Sequence, residues 1–176
     1  IYLEKQVVQW CRDLFGFPPE AGGILVSGTS MANVIGTATA RHWATEGKVR
    51  TEGLVGGPEL VGYASVDGHS SLQKAFELLG LGASALRVVP VDWKGSMVVS
   101  ALEKRIRKDK EEGRLPFVVL ASVGTIGRGA VDPLQALRRV CDREKLWLHV
   151  DGAFGALAIL SPTHRWQLDG IETADS

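Results

Sequence analysis

Cysteine is scarce in this sequence: the two present, Cys11 and Cys141, stand far apart and form no Cys-x-x-Cys pair. Nothing there suggests a disulfide framework or a thiolate metal site, and a reducing, cytoplasmic setting with both thiols free is expected. Charge of one sign is also lacking, with 20 Lys plus Arg against 20 Asp plus Glu. No electrostatic footprint therefore points to nucleic acid or to an anionic membrane. No apolar run approaches the roughly 20 residues that cross a bilayer, and no signal peptide is legible. There is no internal repeat, no low-complexity segment, no Walker A lysine and no GxGxxG. What remains is a 176-residue chain, long enough to bury a real core as one domain.

The pattern along the chain alternates helices with short apolar strands. Leu3, Val7, Trp10, Cys11 and Leu14 mark one stripe of an opening helix. After the break at Phe17 to Gly23, Ile24 to Val26 reads as a short buried strand and Ser27 to Ser30 as a tight turn. The next helix carries Met31, Val34, Ile35, Ala38 and His42 on one face, and Arg50 to Pro58 reads as loop. Strands are then expected at Leu60 to Val66, Leu86 to Val91, Phe117 to Val123 and Leu146 to Val150. Helices are expected at Ser70 to Leu79, Ser96 to Glu112 and Pro133 to Glu144. The mixed charge run from Glu103 to Arg114 reads as a solvated helix face. This order specifies a doubly wound α/β fold with a mostly parallel sheet flanked by helices. Ligands of such sheets gather beyond the carboxyl ends of the strands. Here those ends deliver Ser27 to Ser30, Asp67 to His69, Ser122 to Thr125 and Asp151 to Ala153.

Each of these segments has a chemical and a plain reading. Ser27-Gly28-Thr29-Ser30 leads into a helix, where free backbone N–H groups and the helix dipole favour an anion such as phosphate. The same residues also suit an ordinary helix cap. Asp151 ends a buried strand just before Gly152 and Ala153, and a carboxylate there is costly unless paired. A pyridinium nitrogen would be a fitting partner, because the pair keeps the ring protonated and able to accept electrons. Capping a loop is the alternative. His69, after a strand and a glycine, could stack on an aromatic cofactor or move a proton, or could simply begin a helix. His149 shares a strand face with Asp151, but no third ligand is visible, so a packed histidine is expected rather than a metal site.

Four segments in order resemble the group II pyridoxal-phosphate-dependent amino-acid decarboxylases, the family of aromatic-amino-acid, histidine and glutamate decarboxylases. They are Gly22 to Asn33 (GGILVSGTSMAN), Asp67 to Ser71 (DGHSS), Ala121 to Thr125 with Val131 to Pro133, and Leu148 to Phe154 (LHVDGAF). The resemblance spans nearly the whole chain and implies the large domain of the type I pyridoxal-phosphate fold, with residues 1–176 its central part, truncated at both ends. It implies pyridoxal 5′-phosphate as cofactor, an amino-acid substrate and a homodimer. By the same resemblance Thr29 and Ser30 hold the phosphate, His69 stacks over the ring and takes part in catalysis, Asp151 pairs with the ring nitrogen, and Ala153 packs on the opposite face.

Two departures stand out. Where the family often has Gly-Thr-Thr, this chain has Gly124-Thr125-Ile126, so one hydroxyl is missing and only Thr125 carries over as a cofactor contact. The family's Schiff-base lysine follows a histidine shortly after a segment like Ala174-Asp175-Ser176, where this sequence ends. The expected activity, decarboxylation to an amine, therefore belongs to a longer parent, and the fragment alone is expected to be inactive. Another type I lyase, an aldehyde-forming relative, or a non-catalytic α/β module remain as rivals.

Overall fold

A computed structural model describes residues 2–176. Four strands form one sheet: β1 (Leu60–Ser65), β2 (Leu86–Val89), β3 (Leu115–Ser122) and β4 (Trp147–Asp151), in the order β2-β1-β3-β4. Every pairing is parallel, and Ser122 stands in register with Asp151. The helices are α1 (Tyr2–Phe15), α2 (Thr29–Ala44), the single turn α3 (Val49–Glu52), α4 (Ser70–Leu78), α5 (Val99–Glu111) and α6 (Leu134–Glu144). The fold class is α/β, as the alternating pattern implies.

The middle strand shows why. From Pro116 to Ser122 every residue of β3 is buried, as a strand covered on both faces must be. Its side chains alternate. Val119 and Ala121 enter a core with Leu102 and Ile106 of α5 and Leu137 and Val140 of α6, whereas Val118 and Leu120 enter a second core with Ala40 of α2 and Leu72 and Phe76 of α4. Helices thus lie on both faces. The connections after β1 and β3 run on opposite faces, which opens a crevice between their carboxyl ends.

Several expectations need correcting. Ile24 to Val26 is not a buried strand: the segment joins no strand of the sheet, and Ile24 and Leu25 are exposed. The stripe on α1 does not pack either, since that helix has no fully buried residue. On α2 the buried face is Asn33, Gly36, Thr37 and Ala40, while Met31 and His42 are exposed. Small residues let the helix approach closely, so it packs by shape and not by its greasiest side. The loop at Arg50 to Pro58 opens with the last residues of α3. In the charge run of α5, most residues are solvated but Asp109 is fully buried.

Candidate cofactor site

At the carboxyl edge of the sheet lies a cavity of about 440 Å³. Its wall includes Thr29 from the start of α2, Asp67 to Ser70 after β1, Ser122 at the end of β3 with Gly124 and Thr125 beyond it, and Asp151 at the end of β4 with Ala153 beyond it. The structure therefore brings Thr29, His69, Thr125, Asp151 and Ala153 to one place. Ser30 lies one residue beyond Thr29, is exposed, and is not part of the wall.

Each wall is built by local physics. Gly28 is the N-cap of α2 with φ 83°, a conformation that favours glycine, and it brings no side chain to the first turn. The N–H groups of Thr29 and Ser30 are thereby left for an anion, while those of Met31 and Ala32 already donate to Gly28 O. His69 is the N-cap of α4: its Nδ1 accepts from Ser71 N at 3.2 Å and meets Ser71 Oγ at 2.7 Å. Thr125 is buried in the turn after β3, where its Oγ1 accepts from Ala130 N at 3.1 Å. Ile126 beside it is exposed at the cavity.

Asp151 is held by neutral donors. Ala153 N donates to Oδ1 at 3.2 Å and Asn33 Nδ2 donates to Oδ2 at 2.9 Å. Among the described residues no Lys, Arg or His lies within ion-pair distance of this carboxylate. Behind it sits His149, buried, with Nε2 at 3.0 Å from Asn33 Oδ1 and Nδ1 at 2.8 Å from Ser176 Oγ. Both ring nitrogens are spoken for, so His149 packs as a hydrogen-bonded histidine. Burial pushes its pKa down to about 4, against the opposing pull of the Asp151 charge.

Sequence reasoning missed Asn33 and Ser71, although both stand inside the motifs it used. The available signal for Asn33 was a lone amide on the small-residue face of a helix, a costly burial without partners. Asp67 was named only as part of a strand end. It lines the cavity and faces Arg128 Nε at 3.4 Å, an ion pair without hydrogen-bond geometry.

A family model described as the pyridoxal-dependent decarboxylase conserved domain matches residues 1–176. This chain belongs to that family. It is 41% identical over 176 residues to human cysteine sulfinic acid decarboxylase, covering all of this chain and 35% of that protein. It is 36% identical to bovine acidic amino acid decarboxylase GADL1, again over all of this chain and 33% of the relative. The chain thus spans about a third of the length of these curated relatives. The structure of mouse CSAD in apo form superposes with TM-score 0.95 at 38% identity, over 99% of this chain and 36% of that one. The Oryza sativa TDC with PLP and tryptamine gives TM-score 0.84 at 28% identity, over 99% and 39%.

Pyridoxal 5′-phosphate is the cofactor of this family. The residues present fit it: uncapped N–H groups at the start of α2 suit a phosphate, and a carboxylate without a protein cation suits a protonated ring nitrogen.

Proposed function

We propose that these residues form the central part of the cofactor-binding domain of a cytoplasmic, homodimeric amino-acid decarboxylase, which releases carbon dioxide and an amine. The observation that carries this reading is the convergence of Thr29, His69, Asp151 and Ala153 on one cavity, in a chain that matches the family model from end to end. When bound, the cofactor's ring accepts the electron pair left by the departing carboxylate.

The chain's own groups have separate tasks in this reading. Thr29, Ser30 and the leading N–H groups of α2 hold the phosphate, with Thr125 as a lesser contact. The Asp151 carboxylate accepts the ring N–H and keeps that nitrogen protonated. His69 covers one ring face and holds or delivers a proton at Nε2, while Ala153 is small enough to let the ring lie close on the other. Among the described residues no lysine lines the cavity, and the Schiff-base lysine is assigned to sequence following Ser176. The substrate is an amino acid. Relatives at 36–41% identity are named for cysteine sulfinic acid and acidic amino acids, which makes small acidic amino acids the first to test.

Borohydride trapping of pyridoxal phosphate on the full-length product, followed by peptide mapping, tests the reading. Label on a lysine shortly after Ser176 supports it. A soluble, folded product that takes no label overturns it in favour of a non-catalytic module. A relative, Rhodiola rosea 4-hydroxyphenylacetaldehyde synthase, superposes with TM-score 0.87 at 31% identity. Measuring carbon dioxide and amine together with aldehyde therefore separates a decarboxylase from an aldehyde-forming enzyme.

A further inference from the structure

Beneath the cavity runs a continuous line of hydrogen bonds, buried at its centre on Asn33 and part-buried toward both ends. Trp147 Nε1 reaches Ser176 Oγ at 2.8 Å, and Ser176 Oγ reaches His149 Nδ1 at 2.8 Å. His149 Nε2 meets Asn33 Oδ1 at 3.0 Å. Asn33 Nδ2 then forks, to Asp151 Oδ2 at 2.9 Å and to Ser71 Oγ at 2.8 Å. Ser71 Oγ ends the line on His69 Nδ1 at 2.7 Å.

The protons on this line can be placed by donor and acceptor arithmetic alone. Indole N–H only donates, so Ser176 Oγ accepts from Trp147 and gives its own hydrogen to His149 Nδ1. A carboxylate only accepts, so the Asn33 amide must turn its NH₂ to Asp151, which leaves Oδ1 facing His149. That oxygen needs a donor, so His149 carries its proton on Nε2. The second amide hydrogen of Asn33 goes to Ser71 Oγ, whose own hydrogen goes to His69 Nδ1. The backbone N–H of Ser71 points at the same nitrogen at 3.2 Å. Neutral His69 is thus also protonated on Nε2, the nitrogen left free at the cavity.

We infer that Asn33 and His149 are positioning residues, which together fix the orientation of the Asp151 carboxylate and the tautomer of His69. Every donor on the line points the same way, from Trp147 toward the cavity. The fork at Asn33 ties to one amide the two residues assigned to the cofactor. Steric detail agrees. A Cβ on Gly36 would stand 2.4 Å from the His149 ring, so this position on α2 is kept free of a side chain to admit the imidazole. Burial, which holds His149 neutral, keeps the line in a single protonation state. The inference rests on the assignment of Asp151 and His69 to pyridoxal phosphate.

The test uses the full-length protein with ¹⁵N-labelled histidine. Long-range proton–nitrogen NMR of the cofactor-free form reads both tautomers without any variant. His149 and His69 are expected as neutral Nε2–H forms, and an Nδ1–H pattern at either overturns the relay. The holoenzyme is then loaded with cofactor labelled at the ring nitrogen. Asn33→Ala and His149→Gln are expected to move that ¹⁵N resonance and to lower kcat by roughly tenfold or more, with KM changed less. Two separate variants guard against one that fails to fold. Unmoved resonances and kcat in the folded variants overturn the inference while leaving the cofactor reading intact. A wild-type protein that binds no pyridoxal phosphate fails the cofactor reading itself, and with it the assignment of the relay to the cofactor.

Discussion

Two aspartates sit in polar clusters on this sheet, and their partners differ in kind. Asp109 of α5 has no exposed side-chain surface and is surrounded by cations: Arg87 Nε at 3.2 Å, Arg105 Nε at 3.2 Å and Arg114 Nη1 at 3.1 Å, with the Tyr63 hydroxyl donating at 3.1 Å. Burial pushes its pKa up, but Arg114, Arg87, Tyr63 and Arg105 together hold it below the ordinary carboxylate range. Asp151 receives two neutral donors and faces an open cavity. The first cluster is closed, with its charge already answered inside the protein. The second lacks a cation, and a ligand can supply one. A carboxylate held in the fold marks a binding site when its partners are too few and it faces a cavity, as half-buried Asp151 does, and a structural brace when they are sufficient, as for buried Asp109.

The largest effects should separate these two residues cleanly. In the full-length enzyme, Asp151→Ala should lower turnover on the order of a thousandfold, as when a group that stabilises developing charge is lost, with the urea midpoint little changed. Asp109→Ala should do the reverse, costing about 3 kcal/mol because three guanidiniums lose their shared partner, with turnover per folded molecule preserved. Steady-state rates and urea unfolding on both variants check the pair. An Asp151→Ala protein with normal turnover would break the contrast.

The next effect concerns pH. His149 falls to about 4 when folded, from an ordinary 6.5, so the unfolded chain takes up a proton first as the solution is acidified. Its contribution is present above about pH 6.5 and is lost as pH falls toward 4, amounting to about 3 kcal/mol. Asp132 has the opposite slope. Burial raises it to about 6 against the N–H bonds from Ser122 and Met97, so stability is lost as pH rises from about 4 through 6. The two slopes oppose each other in the native profile. Unfolding free energies of wild type and His149→Gln between pH 4 and 7 should therefore diverge in slope, with only the wild type carrying the acid-side loss of His149.

Much of this molecule was legible because its physics is local. Phe117 to Val123 is an apolar, β-branched run that only a strand covered on both faces would need, and the turn at Gly28 and Thr29 offered an open helix start or an ordinary cap, of which the structure has the first. Asp151 and His69 were legible as polar residues at strand ends. What stayed hidden depends on partners distant in sequence. Asn33 is 118 positions from Asp151 and 116 from His149, and hydrophobic periodicity looks for grease on α2, where packing needs small residues. Asp109 was lost in a charge run because burial of one member depends on Tyr63 and Arg87, which belong to strands far along the chain. Ile24 to Val26 has the composition of a buried strand, but composition does not provide a neighbour to pair with.

Gly36 links packing to the relay. Adding one methyl group there drives it to within 2.4 Å of the His149 ring, and an imidazole bonded at both nitrogens has little room to yield. Gly36→Ala should cost about 2 kcal/mol as an overpacked contact. Unlike Asp109→Ala, it should also lower kcat, because the imidazole that moves is the one that holds Asn33. Thermal unfolding and steady-state kinetics on the same preparation check both halves. Loss of stability with an unchanged kcat would show that His149 serves packing alone.

The smallest expected effect lies at Ile126, where the family resemblance implies a threonine. Ile126 is 72% exposed and lines the cavity, next to Thr125, whose hydroxyl is already engaged by Ala130 N. Ile126→Thr removes an exposed apolar side chain and offers a free hydroxyl where the neighbouring one is occupied. Stability should stay within about 0.5 kcal/mol, as for surface substitutions that break no buried contact. Cofactor affinity should rise, by no more than about tenfold for a single new hydrogen bond of roughly 1 kcal/mol. Equilibrium titration of the full-length apoenzyme with pyridoxal phosphate measures it. A gain of that size places the side chain at position 126 against the cofactor, and no gain places it on the substrate side of the cavity, where the apolar isoleucine would act on selectivity between amino acids instead.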